Sequence, residues 1–458
     1  MKIIIVGAGR VGASLAESLV SEHNDITLID PDPALLADLQ DRYDLRTVVG
    51  NGVLPRVLKQ AGAEDADMLV AVTRSDETNL VACRIAALQF NVPRRIARVR
   101  SPEMLEQANL QGDEGFNVDH VICPEQSVTD HIERLIQFPE ALQVLDFANG
   151  KVTLVSVRAF AGGPLVSNPI EDLRKHLPNI DVRIVALFRE NQPVTVDGYT
   201  TIQPGDEVFC LSATEHVRSV MGELRRMSKP VNKVMIAGGG NIGLRLARSL
   251  EDEYQVKVIE NDRKRCEELA SQLGSRTLVL YGDATDEDLL TEENVQEVDT
   301  FIALTSDDEN NIMSSLLAKR LGARRVISLI QRKVYAELVQ GGQIDIALAP
   351  SNATLSELLK HIRRGDVVAV HRLRRGVAEA IELIAHGDQK SSKVVGRAIE
   401  NIDMPKGSVI GAVVRGDTVI MAHHDTVIEA EDHVITFVEN RKLVPQVEKL
   451  FQVGVGFL

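Results

Sequence analysis

In residues 2–6, KIIIV, Lys2 leads into a short unbroken apolar run. Such a run, stopped by glycine, reads as a strand buried on both faces. Beyond it, Val11, Leu15 and Leu19 recur at helical spacing, so VGASLAESLV predicts a helix with one buried stripe. DITLID predicts a second strand and PALLADLQDRY a second helix. Further strands are expected near RTVVG, MLVAVT, RIARVR and HVICP. Alternating strands and helices imply a parallel sheet with right-handed crossovers. The pattern then changes. GKVTLVSVRAF is strand-like, VRIVALFRENQPVTV reads as strand, turn, strand, and IQPGDEVFCLS adds a strand after a Gly-Asp turn.

The whole pattern occurs twice. GAGRVG (7–12) matches GGGNIG (238–243), and TLID (27–30) matches KVIE (257–260). VVGNG (48–52) matches LYGDA (280–284). MLVAVTRSDETNLVAC (68–83) matches TFIALTSDDENNIMSS (300–315), and VPRRIARVR (92–100) matches GARRVISLI (322–330). The last pairing sets Ser328 opposite Arg98. The β-rich tail repeats too: VALFRENQPV aligns with GAVVRGDTVI, and GDEVFCL with EDHVITF. Repeats at a fixed period reveal internal duplication. The expected fold is therefore α/β, with two Rossmann-like, doubly wound parallel sheets, each followed by a small β-rich α+β domain. The expected boundaries are 1–124, 144–228, 233–350 and 369–452, with the polar, proline-containing RRMSKPVNK (225–233) joining the halves.

Composition narrows the classes. A formal charge of -15 opposes long-range attraction to nucleic acid or anionic lipid, although local basic patches remain open. Trp is absent and aromatics are 3%, which disfavours base-stacking platforms for single strands. Cys83, Cys123, Cys210 and Cys266 are widely spaced and form no CxxC, so they read as reduced, buried small hydrophobes of a cytosolic chain. The N-terminus lacks the features of a signal peptide, and no run of about 18 apolar residues occurs. No membrane span and no direct lipid insertion are expected.

The glycine motif brings in chemistry. Gly7 permits the tight strand-to-helix turn, Gly9 lets a pyrophosphate approach the backbone, and Gly12 lets helix and strand pack closely. The phosphates would meet free N–H groups at the helix N-terminus. An acidic residue should end the second strand, to accept from ribose hydroxyls. Asp30 does so 18 residues after Gly12, and Glu260 does so 17 after Gly243. Glycines kept for packing alone are the alternative. Asp30 would repel a 2′-phosphate, which favours NAD(H) over NADP(H); ATP and ADP share the ribose and stay open. Thr73 and Arg74 follow the fourth strand and are expected to line the crevice. Asp76, Glu77, Asp308 and Glu309 read as helix N-terminal charges. Arg98, near the end of the fifth strand, either reaches a phosphate or pairs with an acid.

Catalytic groups are harder to find. No TyrxxxLys follows a Rossmann unit, and no metal-ligand cluster occurs in the sequence. AHHDT (422–426) carries the one His pair, which reads as a turn; RLRR (372–375) reads as a solvated face. A duplicated nucleotide site without adjacent chemistry points to a sensor, in which the nucleotide changes a conformation rather than reacts.

DADMLVAVTRSDETN, RIARVRSPE, the HGD of GVAEAIELIAHGD, and KVVGRAIENIDMPKGSVIGAVVRGD carry a more specific likeness. With the domain order, they make the whole chain resemble the RCK (also called KTN) regulatory proteins of bacterial potassium transport. That resemblance implies Rossmann units that bind NAD(H) or adenine nucleotides. It also implies a homo-oligomer, expected as a homotetramer, assembled in a ring on the cytoplasmic face. There it would gate a membrane-embedded potassium-translocating subunit of the TrkH/TrkG kind. It implies nucleotide contacts at Gly7, Ala8, Gly9, Arg10, Val11, Asp30, Thr73, Arg74 and Arg98. In the second unit it implies Gly238, Gly239, Gly240, Asn241, Ile242 and Glu260. Asn241 replaces Arg10 and Ser328 stands for Arg98, so the second unit is expected to hold phosphate less strongly. Two other readings stay open: an NAD-dependent oxidoreductase with an unrecognised substrate site, and a scaffold with vestigial sites.

Overall fold

The computed structural model describes residues 1–20, 24–106, 110, 112, 114–339, 342–363, 366–373 and 377–453. The chain divides into two compact units. One comprises Met1–Val128 with Ala353–Leu358, the other Thr129–Asn352 with Leu359–Leu458.

The first unit is built on β1 (Lys2–Val6), β2 (Asp25–Asp30), β3 (Arg46–Val49), β4 (Met68–Ala71), β5 (Arg94–Arg98) and β6 (His120–Ile122). Its helices are α1 (Arg10–Val20), α2 (Pro33–Arg42), α3 (Pro55–Gln60), α4 (Asp76–Phe90) and α5 (Pro102–Glu106), followed by the start of α6 (Pro124–Gln137). The strands run parallel in the order β3-β2-β1-β4-β5-β6. This is the doubly wound order, with its switch point between β1 and β4. Four of the five β1 residues are buried, as the apolar run requires, and α1 buries Leu15, Ala16 and Leu19. Asp32 caps α2 and Ser75 caps α4, each accepting from a backbone N–H of the first turn. Asn91 ends α4 in the left-handed region.

The second unit holds three sheets. The first contains β7 (Ala141–Phe147), β8 (Val152–Arg158), β9 (Val182–Arg189), β10 (Gln192–Val194) and β11 (Glu207–Ala213), with α7 (Leu173–His176) and α8 (Val217–Leu224). It is antiparallel, in the order β10-β9-β11-β8-β7. The parallel fold then returns in β12 (Lys233–Ala237), β13 (Gln255–Glu260), β14 (Thr277–Tyr281), β15 (Thr300–Ala303), β16 (Arg325–Leu329) and β17 (Ile346–Leu348). Its order, β14-β13-β12-β15-β16-β17, repeats the first. Between them run α9 (Asn241–Leu250), α10 (Arg263–Gln272), α11 (Glu287–Glu292), α12 (Asp308–Leu321) and α13 (Lys333–Val339), and α14 (Pro350–Ile362) follows. The last sheet, β18-β19-β22-β20-β21, contains β18 (Val367–Leu373), β19 (Ala378–Ile384), β20 (Ser408–Arg415), β21 (Thr418–Met421) and β22 (His433–Val438), with α15 (Val444–Phe451). Strands β7, β18 and β19 are additions to the pattern-based reading. Bulges after Ala141 and Val367 break the alternation of β7 and β18.

The two antiparallel sheets share one apolar core. Phe147, Val185, Phe209 and Leu211 of the first pack with Ala412, Val414, Ile435 and Phe437 of the second. The Phe209 and Phe437 rings lie 5.8 Å apart between centroids. Gly411 lets the sheets approach here: a methyl group would overlap the Leu211 side-chain end and stand 2.9 Å from Val185 Cγ1, so both side chains would have to shift. At the edge of the same contact, Lys151 Nζ bonds Asp417 Oδ1 at 2.7 Å.

A buried arginine ties the second parallel sheet to the end of α6. Arg325 donates to the carbonyls of Leu135 (2.8 Å) and Ala141 (2.6 Å). The Leu135 carbonyl belongs to the last turn of α6, where a cation also complements the helix dipole. Burial pulls the Arg325 pKa down to about 10, with Asp345 and Glu140 opposing the shift.

The segment expected to be a solvated face is corrected. The Arg372 side chain is only 6% exposed, its Nε 3.4 Å from Glu379, in a cluster with the buried Arg363 and Glu448. Such charges leave water only when paired. Arg374 and Arg375 lie outside the described residues. His424 and Asp425 sit in a turn, as read.

Candidate functional site

The glycine loops link β1 to α1 and β12 to α9. Gly7 adopts φ 110°, where a side chain would be strained, and a Cβ there would lie 3.1 Å from Thr73 backbone atoms. Gly238 does the same against Thr305, at φ 106°. A methyl group on Gly12 would overlap the Gly7 carbonyl oxygen and stand 2.9 Å from its carbon. Gly9 faces open space, with no atom within 4 Å of the point a methyl group would occupy, and so does Gly240. The middle glycine of each motif thus borders free volume at a helix N-terminus, where an anion meets unpaired N–H groups.

The acidic residues close the other side of each loop. Asp30 Oδ2 accepts from Ala8 N at 2.7 Å, and Oδ1 from Asp32 N at 2.9 Å. Glu260 repeats this with Gly239 N at 2.8 Å, and with Asn261 and Asp262 N at 2.8 and 3.0 Å. Each carboxylate is oriented by backbone donors while unused lone pairs remain for a ligand hydroxyl. Arg10 and Asn241 open α1 and α9 and are exposed; Val11 and Ile242 are half-buried behind them.

Across the switch point stands a network that sequence reasoning missed. Asn79 is fully buried. Its Oδ1 accepts from Thr73 N and Oγ1 (2.8 and 2.7 Å), and its Nδ2 donates to the Arg98 carbonyl at 2.9 Å. Asn311 does the same with Thr305 and the Leu329 carbonyl. The signal was the shared asparagine of SDETN and DDENN. The Thr73 hydroxyl is therefore occupied within the protein, while the Arg74 side chain is exposed.

Asp76 and Asp308 start their helices, but they are buried and do more than face a dipole. Asp76 accepts from Arg100 N and Ser101 N at 2.8 and 2.9 Å, and Asp308 from Gln331 N and Arg332 N. They clamp the loops after β5 and β16. Glu77 and Glu309 are exposed, and both pKa values are lowered: Glu77 chiefly by the Ser75 hydroxyl, Glu309 chiefly by its own backbone N–H and then Tyr335.

Arg98 is paired: its Nη2 lies 2.8 Å from Glu125 Oε1. The residue set against it also needs correcting. Ala71 pairs with Ala97 and Ala303 with Ser328, so Arg98 corresponds to Leu329 and Ser328 to Ala97. The second unit is one residue shorter between these strands, and the sequence alignment had made it two shorter. The second unit nonetheless has a cation of its own. Arg265 Nε donates to the Gly239 carbonyl at 2.9 Å.

Comparisons with known proteins agree with this architecture. The TrkA-N domain profile matches residues 3–124 and 234–350, and the TrkA-C domain profile residues 154–224 and 389–452. The Trk system potassium uptake protein TrkA of Vibrio alginolyticus is 56% identical over 459 residues, covering all of both chains. Among solved structures, the GsuK RCK domain aligns with a TM-score of 0.61 at 15% identity, over 98% of this chain and 94% of that one. The GsuK channel bound to NAD aligns with the same TM-score and identity, over 98% and 78%. Likeness at that identity speaks for the fold alone. Domain profiles over most of the chain and a full-length relative at 56% identity establish that it belongs to the TrkA family of Trk system potassium uptake proteins, with duplicated RCK architecture.

Proposed function

We propose that this chain is a cytoplasmic regulatory subunit that binds NAD(H), ATP or ADP and gates a membrane-embedded, TrkH/TrkG-like potassium-translocating subunit. The observation that carries the reading is the repeated constellation at the strand C-termini. In both units an open-faced glycine precedes a helix N-terminus, and a backbone-anchored carboxylate stands beside the same loop. Open α/β sheets bind ligands in this crevice. Gly7, Ala8, Gly9, Arg10, Val11 and Asp30 would hold the first nucleotide, with Thr73 and Arg74 on the far wall. Arg98 would join them only by sharing its guanidinium with Glu125. Gly238, Gly239, Gly240, Asn241, Ile242 and Glu260 would hold the second. The GsuK channel, a neighbour in fold, is described as bound to NAD, which supports the ligand class.

The nucleotide acts here as a ligand that biases conformation, not as a reactant. We keep the four-domain division at 1–124, 144–228, 233–350 and 369–452 as a reading; each stretch holds most of one sheet, although β7 and β18 start ahead of it, at Ala141 and Val367. No described helix is long and apolar enough to cross a membrane. In this reading the chain works as a homotetrameric ring on the inner face of the membrane, an assembly the family likeness supports.

The test pairs calorimetry of the full chain against NADH, ATP and ADP with potassium uptake in cells that lack it. Restored uptake by the wild-type chain, lost with Asp30→Ala and Glu260→Ala together, is the expected result. Normal uptake without measurable nucleotide binding would refute sensing. Sustained NADH oxidation with a small carbonyl compound would replace it with the oxidoreductase reading.

A further inference from the structure

The two nucleotide crevices differ where a base would lie. Ribose hydroxyls would meet Asp30 or Glu260, and the base would extend away from the phosphates toward the next strand. In the first unit, the strand residue in register with Asp30 is Val49. It is exposed, as are Leu35 in the first turn of α2 and Leu54 before α3. This border is apolar. In the second unit, the residue in register with Glu260 is Tyr281, 57% exposed. Arg265 replaces Leu35, and Arg263 lies with its guanidinium 5.0 Å from the Tyr281 ring centroid. The border has become aromatic and cationic.

We propose that Tyr281, Arg263 and Arg265 form the base shelf of the second site, which takes an adenine nucleotide by stacking and cationic contact. The first site instead receives its base on aliphatic side chains. This rests on the nucleotide reading above and assigns residues that the glycine motif does not include. Arg263 steadies the Tyr281 ring from one side, and the base stacks on the other. Arg265 is held in place by the Gly239 carbonyl and by Glu268, at 2.9 Å each. Two of its five N–H groups are thereby used, and the others remain for a phosphate or a base edge. The loop is shaped around this arrangement. A methyl group at Gly239 would overlap the Leu269 side chain of α10, the helix that carries Arg265. The first unit has Ala8 at that position.

The chain has five tyrosines and no tryptophan, so stacking at Tyr281 has its own optical signal. The experiment uses the full chain with Asp30→Ala to weaken the first site, and ADP as the probe. ADP binding is followed by calorimetry and by tyrosine emission. We expect Tyr281→Ala to weaken ADP roughly tenfold, the size of one base–aromatic stack. Tyr281→Phe should keep the affinity but lose the quench of tyrosine emission, which a merely structural role would not produce. Arg265→Ala should also weaken ADP, and more so at low salt. Unchanged ADP affinity in Tyr281→Ala and Arg265→Ala would overturn the proposal and leave the nucleotide reading standing. So would Asp30→Ala removing all binding. A wild-type chain that binds no NADH, ATP or ADP would overturn both.

Discussion

Gly9 and Gly12 stand three residues apart in one motif, yet the structure assigns them opposite roles that substitution can separate. In Gly12→Ala, the added methyl falls on the Gly7 carbonyl, 2.9 Å from its carbon. That carbonyl belongs to backbone already fixed by the Gly7 N–H bond to Ile29 O at 2.8 Å. Neither partner is a flexible side-chain end, so α1 must shift relative to β1. Overpacking of this kind costs about 1–3 kcal/mol, and rigid backbone puts it at the upper end. Higher helix propensity returns up to about 1 kcal/mol. A net loss of about 2 kcal/mol should lower the melting transition of the first unit by roughly 4–8 °C. In Gly9→Ala, the methyl meets nothing within 4 Å, so stability should stay within about 1 kcal/mol of wild type. The same methyl intrudes where phosphate would approach, and the loss of one charge-assisted bond should weaken nucleotide about 10- to 150-fold. Thermal unfolding followed by hydrogen exchange in residues 1–20 reads stability, and calorimetry reads binding. The reasoning fails if Gly12→Ala melts like wild type, or if Gly9→Ala binds NADH and ATP normally.

Asp30→Asn should narrow the preference for NADH over NADPH, because the charge opposing a 2′-phosphate is gone; an unchanged affinity ratio would contradict that role. Residues 1–228 and 229–458, expressed apart, should expose the shared core around Phe209 and Phe437 and aggregate, yet co-purify when expressed together; two stable monomers would refute the shared core. His386 lies between Asp366 (2.8 Å) and Glu431 (2.7 Å), and its pKa is raised, first by the Asp366 bond. A raised folded-state value adds stability that is complete below the ordinary histidine range and is lost as pH rises through the folded pKa. His386→Gln should therefore lower the melting temperature at about pH 6 more than at about pH 8.5; an equal effect at both would show that the pairing carries no charge.

The first sheet's strands and the glycine loops were legible because their information is local. A buried parallel strand must be apolar throughout, and a tight turn against a neighbouring backbone admits only glycine, so KIIIVGAGRVG states its geometry within eleven letters. Asp30 and Glu260 were legible for a related reason: the doubly wound topology ends the second strand beside the loop at nearly constant spacing. Strands β7, β18 and β19 were not, since bulges break the period that would announce β7 and β18. The alignment that set Ser328 against Arg98 failed because the size of the one-residue deletion before β16 is invisible without the ladder. Asn79, Arg98 and Arg265 needed tertiary structure outright. Whether Arg98 meets Glu125, whether Asn79 spans two strand ends, and whether Arg265 reaches Gly239 depend on packing between elements 19 to 27 residues apart in sequence. Their letters fit a solvated surface equally well. The duplication has the same limit: sequence revealed two copies, and only the packing of Phe147, Leu211, Ile435 and Phe437 into one core revealed that the small domains complete each other. Hydrophobic periodicity specifies which face of an element is buried, but the partner that buries it is chosen by the assembled fold.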